Sequence, residues 1–191
     1  MYILCDTSSI LMLIRIAPEM FTDPRYECET IIDVKNEIFR TTRFKNKFAW
    51  RTDYKNKIKT ISATELETEE YKNNFELIKN LLDECVTNEN TGRIIDLSRV
   101  DKTIAAYAVT KKHRITTGDK NLAAFVNQQF EINNIFPLEI LNEWIEKGII
   151  KVDDSMLSYL QKWIDEEEPP QPPDAIKKFE KLTGKTYPKE K

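Results

Sequence analysis

Two aspartates follow predicted strands, and a parallel sheet would bring them to one place. Asp6 comes directly after the short apolar run 2–5, and Asp119 comes just after the run 114–117. Short runs of this kind that end in polar turn residues predict strands. In open parallel α/β sheets the functional crevice lies outside the carboxyl ends of the strands. We therefore expect both carboxylates at one rim of the sheet.

Two further acids lie on the inward sides of predicted helices. A helix that begins near Ser98 places Asp101 on the same face as the apolar residues three, four and seven positions further along. Glu37 follows Val34 by three residues and directly precedes Ile38, which puts it at the inward edge of its own helix. Four acids are thus predicted to point toward one site.

Such a cluster needs a compensating charge. Two carboxylates about 6 Å apart repel by roughly 3 kcal/mol at an effective dielectric constant of about 20. The cluster is stable only if some members are protonated or if a cation lies among them. Because hard oxygen ligands favour Mg²⁺ or Mn²⁺, the predicted chemistry is hydrolysis in which metal-bound water attacks a phosphodiester.

Each acid also has a local structural interpretation. Ser98 followed by Asp101 matches a capping box, in which the acid accepts a hydrogen bond from an orphan N–H at the helix start. Asp6 is placed to cap the first helix, and Asp119 is placed to form a turn. Glu37 fits a solvated helix position. These interpretations and the shared site both remain open from the sequence alone.

The order of the elements predicts the fold class. Strands at 2–5, near 26–32 and at 114–117 alternate with helical patterns, which predicts an α/β fold with a parallel sheet. The length of 191 residues suits one domain with an appendage. We expect a domain over residues 1–150 and an extension over residues 151–191.

The extension is predicted to be helical with a proline-rich interruption. The segment EEEPPQPPD should be extended, and a short helix should follow it, capped by Asp174 and stopped at Gly184. We interpret it as an arm that docks on its own domain, on a second copy or on a partner. Ahead of the prolines, an amphipathic helix is predicted from the stripe Met156, Leu160, Trp163 and Ile164.

Composition indicates a soluble cytoplasmic protein. Charged residues make up 32% of the chain and the net charge is −3, which does not by itself suggest a nucleic-acid binder. The cysteines Cys5, Cys28 and Cys85 are odd in number and lack CxxC spacing, which indicates reduced thiols. The apolar N-terminus carries Asp6 and no preceding basic residue, so we expect neither a signal peptide nor a membrane span.

The charge distribution adds a candidate RNA surface. Residues 35–59 hold nine Lys or Arg against two acids, and aromatic residues are interleaved with them. Cations for phosphates and aromatics for bases are what an unpaired RNA strand needs. The alternative is a basic helical face whose aromatics pack inward. The acidic stretch 64–90 is predicted to be a solvated helix face or a partner for the basic segment. The candidate RNA contacts are Arg40, Arg43, Lys45, Lys47, Trp50 and Arg51.

The motifs around the four acids resemble those of the PIN domain family of metal-dependent ribonucleases, which includes the toxins of bacterial toxin–antitoxin pairs. The resemblance covers about residues 1–145. The helix after the second predicted strand supplies Glu37, and it also carries Asp33, which we expect to cap that helix and which is a rival for the functional position. The other matching motifs are DTSSI at 6–10, SRVDKTIAAYA at 98–108 and ITTGDKNL at 115–122.

The resemblance implies a three-layer α/β/α sandwich with a central parallel sheet and an endoribonuclease activity. It implies RNA as substrate, a homodimer and, for a toxin, an inhibitory antitoxin as protein partner. Ser8 and Thr117 would orient carboxylates or water beside the catalytic acids. The Mg²⁺ or Mn²⁺ ligands would be Asp6, Glu37, Asp101 and Asp119.

Other functions remain as alternatives. The chain could be a catalytically inactive module of the same fold that binds RNA or protein. A phosphatase of the haloacid dehalogenase type needs a second acid two residues after the first, and Ser8 stands at that position. A nuclease for duplex DNA would need additional helical elements to grip the duplex, and the sequence shows no sign of them.

Overall fold

The computed structural model describes residues 2–42 and 44–189 and has an α/β fold with a parallel sheet. Strands β1 (Ile3–Cys5), β2 (Cys28–Glu29) and β3 (Arg114–Thr116) form the sheet of the described residues in the order β2-β1-β3. In the register, Leu4 of β1 lies opposite Glu29 and Ile115. Beside this sheet, Ile115 also forms an isolated parallel bridge with Asn134.

Helices alternate with these strands along the chain, as the sequence predicts. No helix within residues 2–42 and 44–189 is long and apolar enough to cross a membrane. Short 3₁₀ turns lie at Pro24–Tyr26, Ala49–Tyr54 and Ala63–Glu67. The α-helices are α1 (Thr7–Leu13), α2 (Ile32–Arg40), α3 (Phe44–Lys47), α4 (Glu69–Asp83), α5 (Arg99–Lys111), α6 (Lys120–Phe130), α7 (Pro137–Glu146), α8 (Asp154–Asp165) and α9 (Pro173–Thr183).

Two predicted helix caps are wrong. Asp33 does not cap α2, because that helix begins one residue earlier and its cap position is Ile31, whose side chain makes no capping bond. Asp174 likewise lies in the first turn of α9, after the cap position Pro172. Both acids still lie where the helix dipole favours a negative charge. The predicted end of α9 is confirmed, since Gly184 adopts the left-handed conformation with φ of 66°.

The C-terminal extension packs on its own domain. Its buried residues belong to the same hydrophobic cluster as the strands and α1. The indole N–H of Trp163 in α8 donates to the carbonyl oxygen of Met12 at 3.0 Å. In α9, the carbonyl oxygen of Ala175 accepts from the side-chain amide of buried Asn142 in α7 at 2.8 Å. These contacts fix both helices of the extension against the body of the protein.

Candidate active site

A cavity of about 700 Å³ lies beyond the carboxyl ends of β1 and β3. Five segments of the chain each contribute one acid to its lining. Four of these are the predicted acids Asp6, Glu37, Asp101 and Asp119, and the fifth is Glu168. Ser8 and Gly118 also line the cavity, together with apolar side chains from α1, α2, α3 and α5. Residues more than 110 positions apart in the sequence thus meet here.

Asp6 is the most firmly positioned of the four acids. Its Oδ1 accepts hydrogen bonds from the backbone N–H of Ser9 at 2.9 Å and from the hydroxyl of Ser8 at 3.0 Å. Its Oδ2 accepts from the hydroxyl of Thr117 at 2.6 Å and from the N–H of Gly118 at 3.2 Å. Burial raises the pKa of Asp6, although these hydrogen bonds oppose the rise. The hydroxyls of Ser8 and Thr117 therefore lie where they orient this carboxylate.

Asp101 caps α5, as one interpretation predicts, and it also lines the cavity. Its Oδ2 accepts from the backbone N–H of Ser98 at 3.1 Å and from the Ser98 hydroxyl at 2.6 Å, which completes a capping box at the start of α5. The same carboxylate faces the cavity. Burial raises the pKa of Asp101, and the negative charges of Asp119 and Glu37 raise it further. A local cap and a place in an acidic cluster are compatible roles.

Asp119 and Glu37 complete the lining. Asp119 caps α6, and its Oδ1 accepts from two backbone amides of that helix at 2.7 and 3.0 Å. Glu37 reaches across from α2, and its Oε2 accepts from the hydroxyl of Thr7 at 2.7 Å. The rival acid Asp33 lines a separate cavity beside Tyr71. The fold therefore brings Glu37, and not Asp33, to the other three acids.

The donor chemistry of the cavity suits a hard cation, but the side chains do not converge as they lie. In the part of the chain that the structure describes, no three His, Cys, Asp or Glu side chains are grouped closely enough to hold one metal ion. Asp6, Asp101 and Asp119 are each turned toward the backbone amides of a helix start. Carboxylate and hydroxyl oxygens fit Mg²⁺ or Mn²⁺. Binding of one ion would require these side chains to change rotamer so that their oxygens converge.

The candidate RNA contacts do not share one environment. Arg40 and Lys45 are exposed, whereas Lys47 lines the cavity and pairs with Glu168 at 2.8 Å. Trp50 is partly buried beneath the guanidinium of Arg15, 4.3 Å from its ring centre, so it is not an open platform for a base. Arg43 lies outside the described residues.

Arg51 is not a surface contact, which corrects the prediction for this residue. It is 5% exposed. Its guanidinium donates to the carbonyl oxygens of Ile38 at 2.8 Å, Phe44 at 3.0 Å and Phe48 at 3.1 Å. These bonds tie the end of α2 to α3 and to the 3₁₀ turn that follows. A basic residue in a charged stretch is here a structural group.

No site residue is predicted in the C-terminal extension, yet Glu168 and Pro169 line the cavity. They come from the proline-rich segment between α8 and α9. Periodicity gives no information about an extended segment of this kind, because its position depends on how the flanking helices pack. The only signal in the sequence was charge complementarity between its run of acids and the basic residues at 35–59.

Comparisons with protein-family models, curated proteins and solved structures find no match for this chain. The resemblance to PIN domains therefore rests on the motifs quoted above. Any function must be argued from the geometry of the cavity itself.

Proposed function

We propose that the protein is a Mg²⁺- or Mn²⁺-dependent endoribonuclease of the PIN type, with the helices arranged as the outer layers of an α/β/α sandwich. One observation carries the proposal: four acids from four separate segments line a single cavity at the carboxyl ends of two parallel strands. Open parallel sheets bind their ligands at this edge. Four carboxylates are costly to place together unless a cation compensates them.

In this proposal, Asp6, Glu37, Asp101 and Asp119 hold the ion. A bound divalent ion supplies an activated water and neutralises the charge that develops on the phosphate. Thr117, together with Ser8, fixes the orientation of Asp6 through the hydrogen bonds described above. Apolar residues, among them Leu11, Val34 and Ile104, form the rest of the wall beside the acids.

The basic segment supplies contacts for the RNA backbone. Arg40 and Lys45 are exposed on α2 and α3, and Lys47 lies at the cavity itself. Lysine and arginine side chains bind phosphates through a charge-dependent interaction that does not need a particular base sequence. An unpaired RNA strand is the substrate that we propose. An antitoxin-type protein inhibitor and a homodimer follow from the same resemblance. A cytoplasmic location follows from the cysteine pattern, and all three belong to the same proposal.

The first test is thermal unfolding of wild type and Asp101→Asn in EDTA and across a Mn²⁺ titration. A ligand at about 100 times its dissociation constant adds roughly 2.7 kcal/mol to the stability of the folded state. For a chain of this size that corresponds to a rise in Tm of about 5–10 °C. We expect this rise in wild type and most of it to be absent in the variant. In EDTA the variant should be at least as stable as wild type, because one of the mutually repelling charges is gone.

Asp153→Asn is the matched control. Asp153 caps α8, and its Oδ1 accepts from the N–H of Met156 at 2.8 Å, but it does not line the cavity. Its variant should therefore keep the full response to Mn²⁺. If wild type ignores the ion and Asp101→Asn is simply less stable in EDTA, Asp101 is only a helix cap and the metal site is wrong.

The second test separates an enzyme from an inactive module. Unstructured RNA is incubated with Mn²⁺ and with wild type, Asp6→Asn or Asp153→Asn, and both cleavage and binding are measured. The proposal expects cleavage by wild type and by the control, and none by Asp6→Asn. Under the alternative, an inactive RNA- or protein-binding module, no variant cleaves RNA and Asp6→Asn leaves binding unchanged. That second result would overturn the proposed activity while leaving the fold in place.

A further inference from the structure

The segment 166–171, which we name the strap, runs along one wall of the acidic cavity. It joins α8 to α9 and reads Glu-Glu-Glu-Pro-Pro-Gln. Its residues Glu168 and Pro169 line the cavity together with the four acids. At its far end, the side-chain oxygen of Gln171 accepts from the backbone N–H of Leu138 at 2.9 Å. Because α8 and α9 are both packed on the domain, the strap is held at both ends.

Two ion pairs tie the acids of the strap to the face that carries the basic segment. Glu168 pairs with Lys47 at 2.8 Å, and Glu166 lies 3.7 Å from the guanidinium of Arg15. Arg15 is in turn stacked between the rings of Trp50 and Tyr159, with ring centres at 4.3 and 4.9 Å. The strap therefore lies against cations and aromatics that include members of residues 35–59.

The position of Glu168 is unusual for an acid. Its side chain is only 9% exposed, and it brings a fifth carboxylate to a cavity that four others already line. Such a charge is stable there when a cation compensates it, and Lys47 is that cation. A lysine ammonium binds a phosphate as readily as it binds a carboxylate. Lys47 at this cavity is thus occupied by an internal anion.

Pro169 adds a steric obstacle to the ion pair between Glu168 and Lys47. A second cavity, of about 230 Å³ and partly lined by Phe136, shares Ser8, Gly118, Asp119 and Pro169 with the acidic cavity. Pro169 approaches Gly118 so closely that a Cβ on Gly118 would lie 3.5 Å from its ring. Pro169 therefore lies where the two cavities adjoin.

We propose that the strap is an internal competitor of the RNA substrate: Glu168 holds Lys47 in the place of a substrate phosphate, and RNA must displace the strap to enter. This inference rests on the proposed ribonuclease function. It assigns Lys47 as a phosphate-binding residue and Glu168 as the residue that keeps it occupied.

The test measures RNA affinity in EDTA, so that binding is separated from cleavage. Fluorescence anisotropy with a labelled oligouridine compares full-length wild type with Glu168→Gln and Glu167→Gln. Glu167 is the matched control, since it is the exposed neighbour in the same strap and its substitution changes the net charge equally. We expect Glu168→Gln to bind about fivefold more tightly than the control, as the loss of one well-placed ion pair allows. Thermal unfolding verifies that each variant is folded.

A third variant tests whether the tighter RNA binding of Glu168→Gln depends on Lys47. In the double variant Lys47→Met with Glu168→Gln, the tighter RNA binding should disappear, because no lysine ammonium is left at this position to bind a phosphate. If wild type binds RNA and Glu168→Gln behaves like Glu167→Gln, the strap inference is wrong and the proposed function is untouched. If no variant binds RNA, the strap inference fails, whereas the ribonuclease proposal is decided separately by the cleavage assay with Mn²⁺.

Discussion

Replacement of Arg51 by methionine tests whether this residue supports the fold or contacts RNA. Methionine keeps much of the aliphatic volume but removes all donors. The carbonyl oxygens of Phe44 and Phe48 also accept from backbone N–H groups, at 3.0 Å each, so they stay satisfied in part. The carbonyl oxygen of Ile38 accepts from Arg51 at 2.8 Å near the end of α2 and would lose a charged donor.

The expected loss of stability in Arg51→Met follows from these three hydrogen bonds. Loss of a hydrogen bond from a charged donor to a buried carbonyl costs about 1.5–3 kcal/mol, and the two shared bonds add about 1 kcal/mol each at most. We expect the free energy of unfolding to fall by about 3–4 kcal/mol. With a urea m-value of about 2 kcal/mol/M, the unfolding midpoint should fall by about 1.5–2 M. Urea titration followed by circular dichroism measures this shift.

Arg40→Met is the comparison variant. Arg40 is exposed at the end of α2, so its replacement should change stability by no more than about 0.5 kcal/mol and should weaken RNA binding. Folded Arg51→Met should bind RNA like wild type. An Arg51 variant with an unchanged midpoint and weakened RNA binding would refute the assignment of Arg51 as a structural residue.

Two further substitutions probe the cavity wall and the effect of pH. Gly118→Ala should lower Tm, with a cost of about 1 kcal/mol or more, because its Cβ would lie 3.0 Å from the Ser8 hydroxyl that supports the site; an unchanged Tm in a differential scan would contradict this. Arg114 lowers the pKa of Glu143 below its ordinary value of 4.5. In acid the unfolded state therefore binds more protons than the folded state, and the stability from this pair is lost as the pH falls below about 4.5. Urea midpoints between pH 6 and pH 3 should therefore decline less steeply in Glu143→Gln than in wild type, and equal slopes would argue against the pair.

The alternating elements and the positions of the four acids were predictable because they depend on short-range patterns. The helix period placed Asp101 on the buried face of α5, and the Ser98 pair gave the capping box that the structure contains. The sequence could not decide whether Asp101 is a helix cap or an acid of the cavity, because both roles need an acid at this position of the helix. The structure brings both roles together in one side chain.

Helix starts were less predictable. The start of α2 one residue before Asp33 moved that acid from a cap to the first turn. A shift of one residue rotates a helical side chain by about 100°, so small errors at a helix start change which acid faces inward. The packed helix decides between the two acids, because Glu37 lines the cavity and Asp33 does not.

The sequence by itself determined the fold class, the acids at the strand ends and the basic character of residues 35–59, since each of these depends on residues close together in the chain. Tertiary structure alone decided that Arg51 is buried and that Glu168 lies beside Lys47. The physical reason is the same in both cases. Whether a charged side chain is solvated, paired or buried depends on segments that are distant in sequence, and the position of an extended strap is set by the packing of the helices at its two ends.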